Sequence, residues 1–357
     1  MAYAVKFSRY GGPEVLDLVE MTTPVPGDGE VVVEVMAAGL NPCETGIREG
    51  RFSKEWPARF PSGQGSDFAG FIVGLGSGVT GWKLNNAVLG HTVRASHANF
   101  VVVPADHIIR KPERLSWEVA GSLFLVAANA WNAVQSVNAQ PGRTILVHAA
   151  AGGVGGIAAQ LAKLRGATVI GTASPASFDH LRQLDIIPVE YGPGLEERLG
   201  QIAPNGIDAE LDHLGDDALA NVDSTDTIVL TKIAAMVADK QIVVRVAAIY
   251  PLSKVRDAYR ELEVGHAHGK IVLSMDPVTY EHQKVHAVDI RESEATKDDP
   301  NRPPIPPAHE VLPPVIGHLR HHAESDLPAP APAPASASAS APAPAPAPAD
   351  GDRSRAE

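Results

Sequence analysis

The chain is 357 residues long, with a formal net charge of −12 and a single cysteine. That length accommodates two domains, the acidic balance argues against a nucleic-acid-binding surface, and one thiol excludes both a disulfide framework and a multi-cysteine zinc site. No apolar run reaches membrane-spanning length and the opening residues MAYAVKFSRYGG lack a signal-type apolar stretch, so a soluble, cytoplasmic protein with neither nucleic acid nor membrane as partner is expected.

The first part of the chain reads as short strands broken by Gly and Pro. Glu30 to Met36 (EVVVEVM) follows a Pro-Gly-Asp-Gly turn at residues 26 to 29, and Phe68 to Val73 and Phe100 to Val103 are further strands. This pattern suggests a barrel or sandwich. Trp117 to Val137 predicts a helix crossing toward a second domain. Thr144 to Ala149 (TILVHA), bounded by Pro141-Gly142, is a buried strand. After a glycine-rich turn, Val154, Ile157, Ala158 and Leu161 fall at i, i+3, i+4 and i+7 on one helix face. Gly166 is placed to cap that helix and Ala167 to Ala173 form the next strand, which completes a βαβ opening.

Within that turn, Ala150 takes the first place of the dinucleotide fingerprint, and Gly152 and Gly155 take the other two. Gly152 lets backbone approach a pyrophosphate, and Gly155 lets helix and strand pack closely. The helix start then presents free N–H groups and a positive dipole end to the phosphates. A turn that merely packs is the alternative, and the flanking strand, helix and strand weigh against it. An NAD site carries Asp or Glu about 20 residues past the first Gly. Thr172-Ala173-Ser174-Pro175 stands there instead. The missing carboxylate removes repulsion against a 2′-phosphate and Ser174 can donate to one, which favours NADPH. No Arg or Lys stands there either, which leaves NADH open.

Further along, Ile186 to Tyr191 and Ile207 to Leu214 suit the third and fourth strands of a parallel sheet. Thr227 to Ala238 reads as a helix, and Gln241 to Ala248 and Lys270 to Ser274 as strands. No apolar strand fits between Asp216 and Asp226, although a doubly wound sheet continues there with units of roughly 30 residues or more. The second half of the nucleotide domain therefore reads as shortened, with a sheet edge open to association. From about Pro277 the composition turns to Pro and Ala, and APAPAPASASASAPAPAPAPA is expected to stay extended and disordered. Pro314 to Leu319 is a segment able to dock transiently, and His318, His321 and His322 read as solvated rather than metal-bound.

Five stretches occur in order: YGGPEVL (10–16), AAGLNPCETGIREG (37–50), GQGSDFAGFIVGLGSGVTGW (63–82), AAAGGVG (149–155) and YPLSKVRDAYRELEVGHAHGKIVL (250–273). Together they resemble the zinc-independent quinone oxidoreductases, the zeta-crystallin-like group of the medium-chain dehydrogenase/reductase superfamily. The resemblance implies an α/β chain with a GroES-like β-barrel domain (1–125, completed by about 250–276), a Rossmann NADP-binding domain (126–249) and a tail (277–357). The active site is expected in the cleft between the two domains. NADPH is the implied cofactor, a quinone or enone the implied small-molecule partner, and a homodimer the implied assembly. Zinc-containing relatives carry Cys and His-Glu where Asn41 and Ser66-Asp67 stand here, so no catalytic zinc is expected. A quinone is already electrophilic. The protein then has mainly to hold the nicotinamide against it and to offer a hydrogen-bond donor to the developing oxyanion.

By the same resemblance, Asn41 lies near nicotinamide and substrate, and Ala151, Gly152, Gly153, Val154 and Gly155 form the pyrophosphate turn. Ser174 and Tyr191 line the 2′-phosphate and adenosine ribose, with strand-end packing as the other reading of Tyr191. Asn129 stands where the family usually has Thr and can still bond the cofactor. Asp67 reads equally as a residue that only bonds backbone in its turn, and Cys43 as a small packed residue. Asn86-Ala87 replaces a customary Gly-Asp, and Ala176, Ser177 and Phe178 stand where a basic residue is usual. The shortened region is where the family seats nicotinamide and pairs subunits. That keeps a second reading open, a non-catalytic NADP(H)-binding protein, and a third, a scaffold tethered by its tail.

Overall fold

The computed structural model describes residues 2–54, 57–212, 227–265 and 267–275. The Pro/Ala tail, its three histidines and the stretch from Asp216 to Asp226 lie outside the described residues. The chain opens with β1 (Ala2–Phe7), β2 (Asp17–Met21) and β3 (Glu30–Gly39), followed by α1 (Pro42–Glu49). β4 (Ser62–Gly63), β5 (Asp67–Leu75), β6 (Ala87–His91), β7 (Phe100–Pro104) and β8 (Ile108–Arg110) complete this region. β3 is its spine. Nearly every β3 residue is buried because both of its edges are used. β5 runs antiparallel along one edge, and β7 pairs with residues 30 to 34 of the other. Val31, Val33, Val35, Phe68, Ile72 and Val88 fill the core that results.

The helix expected over Trp117 to Val137 is two helices, α2 (Trp117–Ala120) and α3 (Phe124–Ser136). The break falls at Gly121, which passes against β3: a Cβ there would meet the Ala37 carbonyl oxygen at 2.4 Å. The Gly121 carbonyl instead accepts from Gly39 N at 2.7 Å. A backbone bond from β3 thus claims a carbonyl that a continuous helix would have used.

β9 (Thr144–Val147), α4 (Gly153–Leu164), β10 (Thr168–Ala173), α5 (Phe178–Gln183), β11 (Ile187–Glu190), α6 (Leu195–Ile202) and β12 (Ala209–Leu211) follow. The four strands form a parallel sheet in the order β11-β10-β9-β12. Ile157, Ala158 and Leu161 of α4 join the core on one face. Leu195, Leu199 and Ile202 of α6 cover Leu146, Ile170 and Val189 on the other. Gly166 closes α4 from the position just past the cap residue Arg165, with φ 89°. Among the described residues no strand pairs with the outer edge of β12.

α7 (Thr227–Ala238) packs on α3, and β13 (Val246–Pro251), α8 (Val255–Val264) and β14 (Lys270–Ser274) return to the first sheet. β14 pairs antiparallel with residues 37 to 39 of β3, and β13 pairs parallel with β14. The strand expected over Gln241 to Ala248 therefore begins later. Residues 241–245 run along α4 instead, where Val243 N donates to Gln160 Oε1 at 2.7 Å and Val243 O accepts from Gln160 Nε2 at 2.9 Å. A side-chain amide serves the backbone groups that a sheet neighbour would have served.

Candidate active site

A cavity of about 330 Å³ opens where the end of β3 and the start of α1 meet α3 and the turn after β9. Leu40, Asn41 and Cys43, then Leu125, Val126 and Asn129 of α3, the turn from Gly152 to Gly155, and Lys270 line it. The glycines are needed there for space. A Cβ on Gly155 would sit 2.4 Å from the Ala149 carbonyl oxygen, and one on Gly153 would lie 3.0 Å from Val126 Cγ1 and 3.2 Å from Lys270 Cδ. Gly152 is the N-cap of α4 and has no side chain to offer, so the first N–H groups of the helix stay available to a ligand.

Asn41 is 1 % exposed and its amide is fully committed. Its Nδ2 donates to Glu44 Oε1 and to Asp67 Oδ2, both at 3.2 Å, and its Oδ1 accepts from Lys270 Nζ at 2.6 Å. Lys270 Nζ also donates to the Leu40 carbonyl at 2.8 Å and stands 3.9 Å from Asp67 Oδ2. Behind this layer, Tyr259 OH donates to Glu44 Oε2 at 2.7 Å and accepts from Gln64 Nε2 at 2.8 Å. Burial pushes the Asp67 carboxyl up to about 6, against the pull of the Lys270 ammonium. Burial likewise lowers Lys270, with Asp67 and Glu44 opposing it. It also raises the Cys43 thiol, which packs among apolar neighbours as expected.

Of the sequence-chosen residues, Asn41, Asn129, Gly152, Gly153, Val154 and Gly155 come together around this cavity. Asn129 Nδ2 donates one of its two protons to the Leu125 carbonyl at 2.8 Å. Ala151 lines a small adjoining recess with His180 and Arg245. Ser174 follows β10 with its Oγ buried and without a hydrogen-bond partner, and Tyr191 follows β11 with its side chain 52 % exposed. Asp67 does more than bond within its turn: besides Asn41, it accepts from Leu125 N at 3.1 Å. Sequence reasoning missed Lys270, Glu44 and Tyr259. A lysine at the head of a buried apolar strand was the available signal. His148 was missed as well. It lines the cavity, pairs through Nε2 with Glu210 Oε1 and lies 3.4 Å through Nδ1 from Thr172 Oγ1.

The alcohol dehydrogenase GroES-like domain model matches residues 27–113, and the zinc-binding dehydrogenase model matches residues 105–273. The chain belongs to the medium-chain dehydrogenase/reductase superfamily. Among superfamily members, a quinone oxidoreductase of Mus musculus is 38 % identical over 173 residues, which is 48 % of this chain and 52 % of the relative. The chain thus matches about half the length of the curated relatives. A quinone oxidoreductase structure from Coxiella burnetii is similar at 27 % identity and TM-score 0.67, over 77 % of this chain and 99 % of that one. The Escherichia coli quinone oxidoreductase complexed with NADPH is similar at 25 % identity and TM-score 0.67, over 76 % and 99 %. In this superfamily member, no group of three His, Cys, Asp or Glu that could hold a metal occurs among the described residues.

Proposed function

We propose that the chain is an oxidoreductase that binds reduced NADP in this cavity and passes a hydride to a quinone or an α,β-unsaturated carbonyl without zinc. The observation that carries the reading is the meeting, in one cavity, of the uncapped start of α4 with Asn41 and Lys270. The residues fit the cofactor's diphosphate. An ammonium buried beside the positive end of a helix is opposed by both desolvation and the dipole. An anion entering the same space relieves both penalties. Gly153, Val154 and Lys270 would hold that anion, Ser174 with its unpartnered hydroxyl would meet a 2′-phosphate, and Tyr191 would lie along the adenosine. When bound, the reduced nicotinamide supplies the hydride.

The donor chemistry behind the cavity supports the zinc-free reading. The carboxylates of Glu44 and Asp67 are satisfied by an amide, a tyrosine hydroxyl and an ammonium rather than left converging on an open centre. Asn41 cannot offer N–H to an acceptor carbonyl, since both of its amide protons are taken. Its part is to hold Lys270 and to shape the wall. Titration with NADPH and NADH side by side, then oxidation with a panel of quinones and enones, tests the assignment. Metal analysis of the active protein tests the zinc-free part, with turnover insensitive to chelators as the expected result. A homodimer belongs to the same reading, and sedimentation tests it.

One observation favours a second reading. The parallel sheet ends at β12 among the described residues, and residues 213–226 fall short of the roughly 30 that a further strand-and-crossover unit takes. A protein that holds the nucleotide but no longer turns it over would show saturable binding without oxidation by any acceptor.

A further inference from the structure

Helix α3 begins without a cap of its own. Its N-cap residue, Leu123, offers no side-chain acceptor, although the first N–H groups of a helix need partners. The acceptor comes from the barrel, where Asp67 Oδ1 receives the Leu125 N–H at 3.1 Å from a position 58 residues away in sequence. Asp67 Oδ2 receives the Asn41 Nδ2–H at 3.2 Å. Asn41, at the start of α1, and Leu125, Val126 and Asn129 of α3 line the same cavity from two different elements. One fully buried carboxylate therefore ties both elements together.

We infer that Asp67 is a positioning residue for hydride transfer, fixing the separation between Asn41 and α3 so that donor and acceptor meet at reacting distance. The inference rests on the hydride-transfer reading above. The two N–H groups reach different oxygens of Asp67, so an amide of the same size would set an NH2 donor against one of them unless the groups moved. The helix start favours an anion, and Lys270 Nζ, 3.9 Å away, supplies partial counter-charge. Glu44 and Cys43 also face Asp67 electrostatically, and His91 lies directly across from it on β6. Misplacement of reacting groups by about 1 Å can cost a hundredfold in rate, so a tie across the cleft matters more to turnover than to nucleotide binding.

The test compares Asp67→Asn with Asp208→Asn, the same change at a carboxylate away from the cavity that accepts only one such N–H, from Thr144. Hydrogen–deuterium exchange over the first turn of α3, NADPH affinity by fluorescence, and kcat with its isotope effect from C4-deuterated NADPH are measured on each. Asp67→Asn is expected to speed exchange at Leu125, lower kcat by roughly ten- to a hundredfold with a larger isotope effect, and leave nucleotide affinity within about threefold. Asp208→Asn changes none of these. If Asp67→Asn does not fold, Asp67→Glu, which keeps both oxygens but displaces them, has to show the same split. Faster exchange with kcat unchanged, or kcat and affinity falling in proportion, overturns the positioning role while leaving the proposed activity intact. A wild-type protein that binds NADPH but oxidises it with no acceptor overturns both.

Discussion

Ala149, the residue just before the fingerprint, is held at φ 49°, a conformation that costs a residue with a Cβ roughly 1 to 2 kcal/mol. Ala149→Gly should therefore raise stability by about 1 kcal/mol in chemical denaturation, after the greater chain entropy of glycine is set against the relief. Gly155→Ala should act oppositely. Its new Cβ would press on the Ala149 carbonyl at 2.4 Å, and a loss of about 2 kcal/mol or more is expected in the same measurement. The buried Asp67 gives a pH signature. Its carboxyl is raised in the folded protein from 3.8 to about 6, so the folded state prefers the protonated form. That contribution to stability is fully present below the unfolded carboxylate's range and is lost as pH rises through about 6. Wild type should lose stability relative to Asp67→Asn over that window, and parallel curves would refute the assignment.

The junction of β14, α1 and α4 explains what could and could not be read from the chain. The glycine turn was legible because strand, turn and helix are contiguous, and close approach of backbone admits few residue types. The β-rich character of the first part was legible in runs such as EVVVEVM, whose pairing on both edges leaves little room for polar residues. The polar layer behind the cavity was not, because its partners come from opposite ends: Lys270 bonds Asn41 across 229 residues and Tyr259 bonds Glu44 across 215. The break between α2 and α3 was hidden for a similar reason, since Gly121 acquires its meaning only from the Ala37 carbonyl of β3. The cap on α3 was invisible because Leu123 carries no capping group and Asp67 lies on another element. At this junction, Lys270→Met should weaken NADPH binding by about tenfold, the loss of one charge-assisted contact, with Lys270→Arg retaining part of the affinity. Isothermal titration of the two variants decides it, and unchanged affinity in Lys270→Met would remove Lys270 from the cofactor site.

The two regions meet at one cavity, and the region proposed to hold the nucleotide is the sparer of them. Its parallel sheet has four strands among the described residues, none of which pairs with the outer edge of β12, while the turn and α4 are intact. Such a molecule should recognise the adenosine diphosphate portion of its ligand better than the nicotinamide. The 2′-phosphorylated ADP-ribose fragment should accordingly bind within about tenfold of NADPH in competition experiments. A far larger gap would mean that residues outside the described ones complete the nicotinamide half. The central claim, that the amide groups at the start of α4 receive the diphosphate of a reduced nicotinamide nucleotide, is tested most directly by following NADPH fluorescence on titration with the folded protein. Saturable binding is predicted, abolished by Gly153→Val, which fills the space between Val126 and Lys270. Absence of any response to NADPH or NADH up to millimolar concentration, from protein with native circular dichroism, would contradict it.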